Sequence, residues 1–168
     1  DTTFYSGDGR PWFPLDEHRR DVPLTEISPF VVKAVIAVED HRFYHHPGID
    51  PVGLGRATWR NVRSGGVVEG GSTLTQQLIK ITGRRPRAFP AKVCEAVQAL
   101  RLEQLWTKDQ ILTRYLNTVY FGEGAYGIEA AAETYFGIHA SELDLSESAT
   151  LAGLITAPAE RAPSPGTH

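Results

Sequence analysis

The chain has 168 residues, 41% of them apolar and 10% aromatic, which suffices to bury one core of ordinary size and is too short for two, so a single domain over 1–168 is expected. A formal net charge of -3 and an isoelectric point near 6.1 exclude the overall basic balance of a general nucleic-acid binder, so any basic site must be local. The lone cysteine, Cys94, excludes an internal disulfide and a cysteine-built zinc site and reads as a small core residue.

No run approaches the roughly 18 apolar residues that cross a bilayer, and the start lacks the basic-then-apolar order of a signal peptide. The chain has no Met and begins at Asp1, so an upstream start, with any anchor it carries, is expected outside it.

Residues 1–24 mix Gly, Pro, Trp12, Phe13 and charges without a sustained period and read as an irregular or short-stranded leader. Ser28-Pro29 has the form of an N-cap and first-turn proline, opening a helix through Phe30, Val31, Ala34, Val35 and Val38 that is apolar nearly all round and therefore expected to be buried. Asp50-Pro51 repeats the signal, with Val52, Trp59 and Val62 on one apolar stripe before the Ser64-Gly65-Gly66 break. Thr73 and Gln76 have capping-box spacing at the head of Leu74 to Ile81, as do Thr107 and Gln110 ahead of Ile111, Leu112, Tyr115 and Leu116. Between them, Val93, Val97 and Leu100 give Ala91 to Leu105 a helical period. Ala125 to Phe136 stops at Gly137, and Ser146 begins one more helix. No strand-period segment of convincing length appears, so the fold is expected to be mainly α, with residues 157–168 a Pro-rich tail or the start of a linker.

Glu39 and Asp40 stand at the predicted C-terminal end of the first helix, where the partial charge of the backbone is already negative. Such a placement implies offsetting cations or a function, and an ion-paired helix end is the plainer alternative. Lys80 to Lys92 holds five cations and no acid, and its Pro86 and Pro90 restrict the backbone. That run reads either as a solvated basic loop or as a site for an anion such as phosphate, which Arg binds through paired donors. Lys92 and Glu95, three apart on one helix, share a face. Gly65 to Ser72 only superficially resembles a phosphate-binding P-loop, because Gly71 occupies the place of its Lys, and nucleotide binding is rejected. His41 and His45 would share a helix face, but without a third ligand they read as structural rather than zinc-binding.

In order along the chain, these runs resemble the motifs of glycosyltransferase family 51, the peptidoglycan glycosyltransferases of class A penicillin-binding proteins and monofunctional transglycosylases, over roughly residues 23 to 158. The first is Glu39-Asp40-His41-Arg42-Phe43-Tyr44-His45-His46-Pro47-Gly48, and the second, the most specific, is Gly70-Gly71-Ser72-Thr73-Leu74-Thr75-Gln76-Gln77-Leu78-Ile79-Lys80. The fourth is Lys108 to Asn117, followed by Val119-Tyr120-Phe121-Gly122 and Gly124-Ala125-Tyr126-Gly127, residues that look mostly architectural. The third departs from the family's Arg-Lys-x-x-Glu, which stands here as Ala91-Lys92-Val93-Cys94-Glu95, and Arg84 and Arg85 are candidates to supply the missing charge.

The resemblance implies a mainly helical, lysozyme-like domain with a substrate cleft, which extends glycan strands from lipid II. It implies Glu39 as general base toward the acceptor hydroxyl, and Glu95 as the second catalytic carboxylate, ordering cations, with a divalent metal, Mg or Mn, as a candidate among them, around the donor pyrophosphate. Asp40, Phe43, Ser72, Gln76, Gln77, Lys80, Arg87 and Lys92 are implied as substrate-binding, with no organic cofactor. Further implied are moenomycin-type inhibitors as ligands, a transpeptidase domain or partner, and a location at the outer face of the bacterial cytoplasmic membrane. Trp59, Val62, Val67 and Val68 are candidates to dip into that surface, or to serve as core and loop anchors. A lysozyme-like lytic enzyme and a non-catalytic module binding lipid-linked precursors are the competing readings.

Overall fold

A computed structural model describes residues 2–5, 11–15, 20–66, 71–82 and 91–155. Val67, Val68, Arg84, Arg85, Arg87 and the tail 157–168 lie outside the described residues. The leader contains two short antiparallel strands, β1 (Thr2–Tyr5) and β2 (Pro11–Leu15), with Thr2 opposite Leu15 and a register shift between Phe4 and Tyr5. Among the described residues the other elements are helical, α1 (Pro29–Glu39), α2 (Pro51–Ser64), α3 (Leu74–Thr82), α4 (Ala91–Leu105), α5 (Lys108–Leu116), α6 (Ile128–Phe136) and α7 (Leu145–Ile155), with short 3-10 turns at Leu24–Glu26 and Phe43–His45 and an isolated bridge between Tyr120 and Tyr126. The mainly α expectation holds.

The helix starts lie where local chemistry put them. Ser28 Oγ accepts from the Phe30 N–H at 3.4 Å and donates to the Leu143 carbonyl at 2.7 Å, so one hydroxyl both caps α1 and ties it to the loop before α7. Asp50 Oδ1 caps α2 through the Val52 N–H at 3.1 Å. Both predicted capping boxes form: the Gln76 and Gln110 carbonyls accept from the N–H groups of Thr73 and Thr107, whose hydroxyls accept in return. A third, Asp144 with Glu147, starts α7 one residue earlier than expected. α6 starts later than predicted, at Ile128, because Gly122 to Ala125 is folded into a turn closed by the Ala125 N–H to the Gly122 carbonyl at 2.8 Å.

α1 packs along α7, and α3 packs between α4 and α5. Val31, Val35, Phe43, Leu74, Tyr115 and Leu151 are fully enclosed in the resulting core. Asn117 stitches the chain ahead of α1 to this body, its amide carbonyl accepting from the Val22 N–H at 3.0 Å while its nitrogen donates to the Val22 carbonyl at 2.8 Å.

One helix is less buried than expected, and two apolar stripes left open by the sequence face outward. α1 is not buried all round: Phe30 and Val38 are exposed, since α7 and the core cover only part of its circumference. On α2 the predicted stripe points away from the core, with Val52, Trp59 and Val62 exposed by 60%, 68% and 74%, and Ala57 is its buried residue. On α4, Val93, Val97 and Leu100 are likewise exposed, while Ala99 and Glu95 turn inward. Cys94, expected in the core, is half-buried.

Candidate active site

A cleft of about 730 Å³ opens between the end of α1, the following loop, α2 and the head of α3. Glu39, Asp40, Ser72 and Gln77 line it together, from segments far apart in sequence. Arg56 and Arg60, one turn apart on α2, complete the charged part of the wall, and sequence reasoning did not single them out. Their spacing of four on a helix was the available signal.

Glu39 is the last residue of α1, and its Oε2 accepts from Gln77 Nε2 at 2.7 Å. Its Oε1 is buried and has no hydrogen-bond partner among the described residues. Burial pushes this carboxyl above the ordinary glutamate value, the Gln77 donor pulls it partly back, and the neighbouring Asp40 charge adds to the rise. The group is thus moved toward the range in which a carboxylate can exchange protons with substrate near neutral pH.

Asp40 faces the opposite way. Both its oxygens lie 3.0 Å from His46 Nε2, and Oδ2 also accepts from the Leu74 N–H at 3.0 Å, at the open end of α3. His46 Nδ1 accepts from the Gly48 N–H at 3.2 Å, so the ring donates from Nε2 to Asp40. Gly48 has φ 92°, and a Cβ there would come within 2.8 Å of the Ala99 carbonyl oxygen, so the turn packs directly on α4. Helix polarity explains Asp40, which serves the N-terminus of α3, but not Glu39, which ends α1 where the backbone charge is negative.

The other expected site residues divide. Phe43 has no exposed surface and belongs to the core rather than the cleft wall, with Lys108 Nζ 4.4 Å above its ring. The Gln76 side chain is engaged by its own helix cap. Lys80 is exposed in the last turn of α3, three residues beyond Gln77. Lys92 Nζ donates to Ser72 Oγ at 3.1 Å and lies 3.3 Å from Glu95 Oε2, so the cleft rim, a cation and a largely buried carboxylate are connected. The other histidines do not share a helix face: His41 Nε2 lies 2.7 Å from an Arg56 guanidinium nitrogen, and His45 sits in the Phe43–His45 turn.

Among the described residues, one group of three side chains could hold a metal ion: Glu129, Glu133 and His139, none of which lines the cleft. Glu129 is already engaged, by His139 Nδ1 at 2.8 Å and the Ala140 N–H at 2.9 Å. Glu95 brings a single carboxylate, which suits a cation held mainly by substrate phosphates but not an all-protein cage. No described helix is long and apolar enough to cross a membrane.

A family model described as Transglycosylase matches residues 8–167. Similar proteins include penicillin-binding protein 1A of Aquifex aeolicus, 45% identical over 95% of this chain and 22% of that protein, and penicillin-binding protein 1F of Bacillus subtilis, 47% identical over 88% and 21%. Penicillin-binding protein 1A of Escherichia coli is 48% identical over 92% of the chain and 18% of its own length. The chain therefore spans about a fifth of the length of the curated relatives it matches.

Proposed function

The chain belongs to the transglycosylase family, and on that premise we propose that it is a peptidoglycan glycosyltransferase that polymerises lipid II with Glu39 as general base. The observation that carries the reading is the Glu39 carboxylate on the cleft wall, one oxygen held by Gln77 and the other buried without a partner. A base needs a carboxylate on the cleft wall in surroundings that raise its proton affinity, and burial raises that of Glu39.

In this reading the 4-hydroxyl of the acceptor GlcNAc attacks the anomeric carbon of the donor while its proton passes to Glu39. The bond to polyprenyl pyrophosphate breaks in the same displacement, which inverts the anomeric centre and yields a β-1,4 linkage without a covalent enzyme intermediate, by analogy with inverting glycosidases. Charge builds on the leaving pyrophosphate and calls for cations. Lys80 on α3 and Lys92 on α4 are candidates, joined by Arg87 from the basic run between them in sequence. Arg84 and Arg85 are proposed to replace the cation absent at Ala91. A divalent cation, when bound, would add charge neutralisation there, with Glu95 as its protein ligand. Ser72, Gln76, Gln77 and Asp40 complete the proposed substrate-binding set, Asp40 through the shape of the wall, and Phe43 contributes only indirectly, from the core behind it.

Incubation with lipid II is expected to give glycan chains that lengthen with time, and less so after chelation of divalent cations or in Glu95→Gln. Shortening of preformed glycan without growth would favour a lytic enzyme, and binding without turnover a recognition module. Either result would remove the reading.

The substrate's polyprenyl tail makes a face that docks on the outer leaflet of the cytoplasmic membrane part of the proposal, and the outward apolar residues of α2 support it. Trp59→Ala with Val62→Ala is expected to weaken co-sedimentation with anionic lipid vesicles by roughly tenfold or more, from the apolar area withdrawn. Unchanged sedimentation would assign that face elsewhere.

A further inference from the structure

Tyr115, on α5, has no exposed surface and was expected only as part of that helix's apolar face. Its hydroxyl donates to Gln77 Oε1 at 2.9 Å, and the same amide donates from Nε2 to Glu39. Each of these two bonds joins residues 38 apart in sequence.

The directions of these bonds follow from chemistry. A carboxylate only accepts, so Gln77 must turn its NH2 toward ionised Glu39 and its carbonyl toward Tyr115. The reversed amide suits only a protonated Glu39, whose O–H would then donate to Gln77 Oε1. In that arrangement the Tyr115 hydroxyl faces the amide nitrogen, and its own hydrogen loses its acceptor inside the core. An enclosed donor without a partner is unfavourable, so the tyrosine biases the amide toward the orientation that serves the ionised carboxylate.

We propose that Tyr115 is a positioning residue for glycosyl transfer: by locking the Gln77 amide it holds Glu39 Oε2 and so fixes the orientation of the carboxylate that takes the acceptor's proton. The proposal rests on the reading of Glu39 as the base. It also gives the lock a task, since burial of Glu39 disfavours its ionised form and the directed Nε2 donor restores part of it. Around the carboxylate, Asp40 adjoins it in the chain, and His41, Asp50, Arg56 and Arg60 line the same cleft; all of them persist when the tyrosine is changed.

The test compares the wild-type chain with Tyr115→Phe, which keeps the ring and removes the hydroxyl. Two quantities are followed: the pH dependence of lipid II polymerisation, and the titration of the Glu39 carboxyl by carbon-13 NMR without substrate. Both the acid limb of the rate profile and the carboxyl titration are expected to move to higher pH together, by about 0.5–1 unit, with KM nearly unchanged. Gln77→Leu, which removes the donor itself, should move the carboxyl titration further in the same direction. Tyr135→Phe serves as control, because its hydroxyl donates to the Phe121 carbonyl at 2.9 Å and neither residue lines the cleft. Unmoved profiles in folded Tyr115→Phe, or equal movement in Tyr135→Phe, would overturn the proposal. A shifted carboxyl titration with an unshifted rate profile would remove Glu39 as the base, and the positioning role with it, while leaving the lock intact.

Discussion

Glu39→Gln is expected to lower the rate of lipid II polymerisation by roughly 10²–10⁴-fold, the usual contribution of a positioned general base. The substitution keeps the shape of the side chain and leaves an amide that can accept from Gln77 Nε2, so the cleft wall should persist. It removes only the capacity to take a proton. Thermal stability should move the opposite way from activity. Burial raises the Glu39 carboxyl in the folded state, so the folded protein binds that proton more tightly than the unfolded chain does. The associated stability is fully present below the ordinary glutamate value and is lost as pH rises through the folded one. At neutral pH the wild type therefore carries the cost of a desolvated charge, and the Gln variant does not. The expected signature is a near-inactive protein whose melting temperature matches the wild type at low pH and exceeds it near pH 7. A fully active variant would end the assignment of Glu39 as base.

Asp40→Ala should behave in the reverse manner, with stability lost first and activity following. The carboxylate is buried, receives the His46 ring and holds the Leu74 N–H that opens α3. Its removal orphans two enclosed donors, a loss of about 2–4 kcal/mol in unfolding free energy, measurable as a lower denaturant midpoint. Asp40→Asn retains one acceptor and should lose less. Because α3 carries Gln77 and Lys80, a shifted α3 would also displace the Glu39 donor, so polymerisation is expected to fall in proportion to misfolded protein and misplaced amide. A variant of unchanged stability with a raised KM would instead mark Asp40 as a direct substrate contact.

These two acids show how far the sequence could be read. Adjacency at a predicted helix end marked both as unusual, and motif resemblance gave them related roles. In the structure both line the cleft but their carboxylates are separated by backbone geometry: Asp40 leaves the helix with φ -159° and ψ 70° and is engaged by His46 and the head of α3, while Glu39 is held by Gln77. Gln76 and Gln77 divide in the same way, one closing its own helix cap and the other joining Glu39 to Tyr115. The capping-box spacing predicted the first, whereas the second depends on a helix 38 residues away.

Local features are legible in the linear chain: the helix starts at Ser28, Asp50, Thr73 and Thr107, the stop at Gly137, and the order of motifs that identifies the family. Caps and breaks act within three or four residues, so their chemistry is complete in the linear chain. Tertiary structure decided which way each apolar stripe points and which polar atoms meet. Val52, Trp59 and Val62 have the spacing of a core face, yet in the fold Ala57 turns inward and this stripe is left outside. Likewise the Glu39, Gln77 and Tyr115 contacts exist because α1, α3 and α5 converge, and the direction of each hydrogen bond is set by burial that no single segment possesses alone.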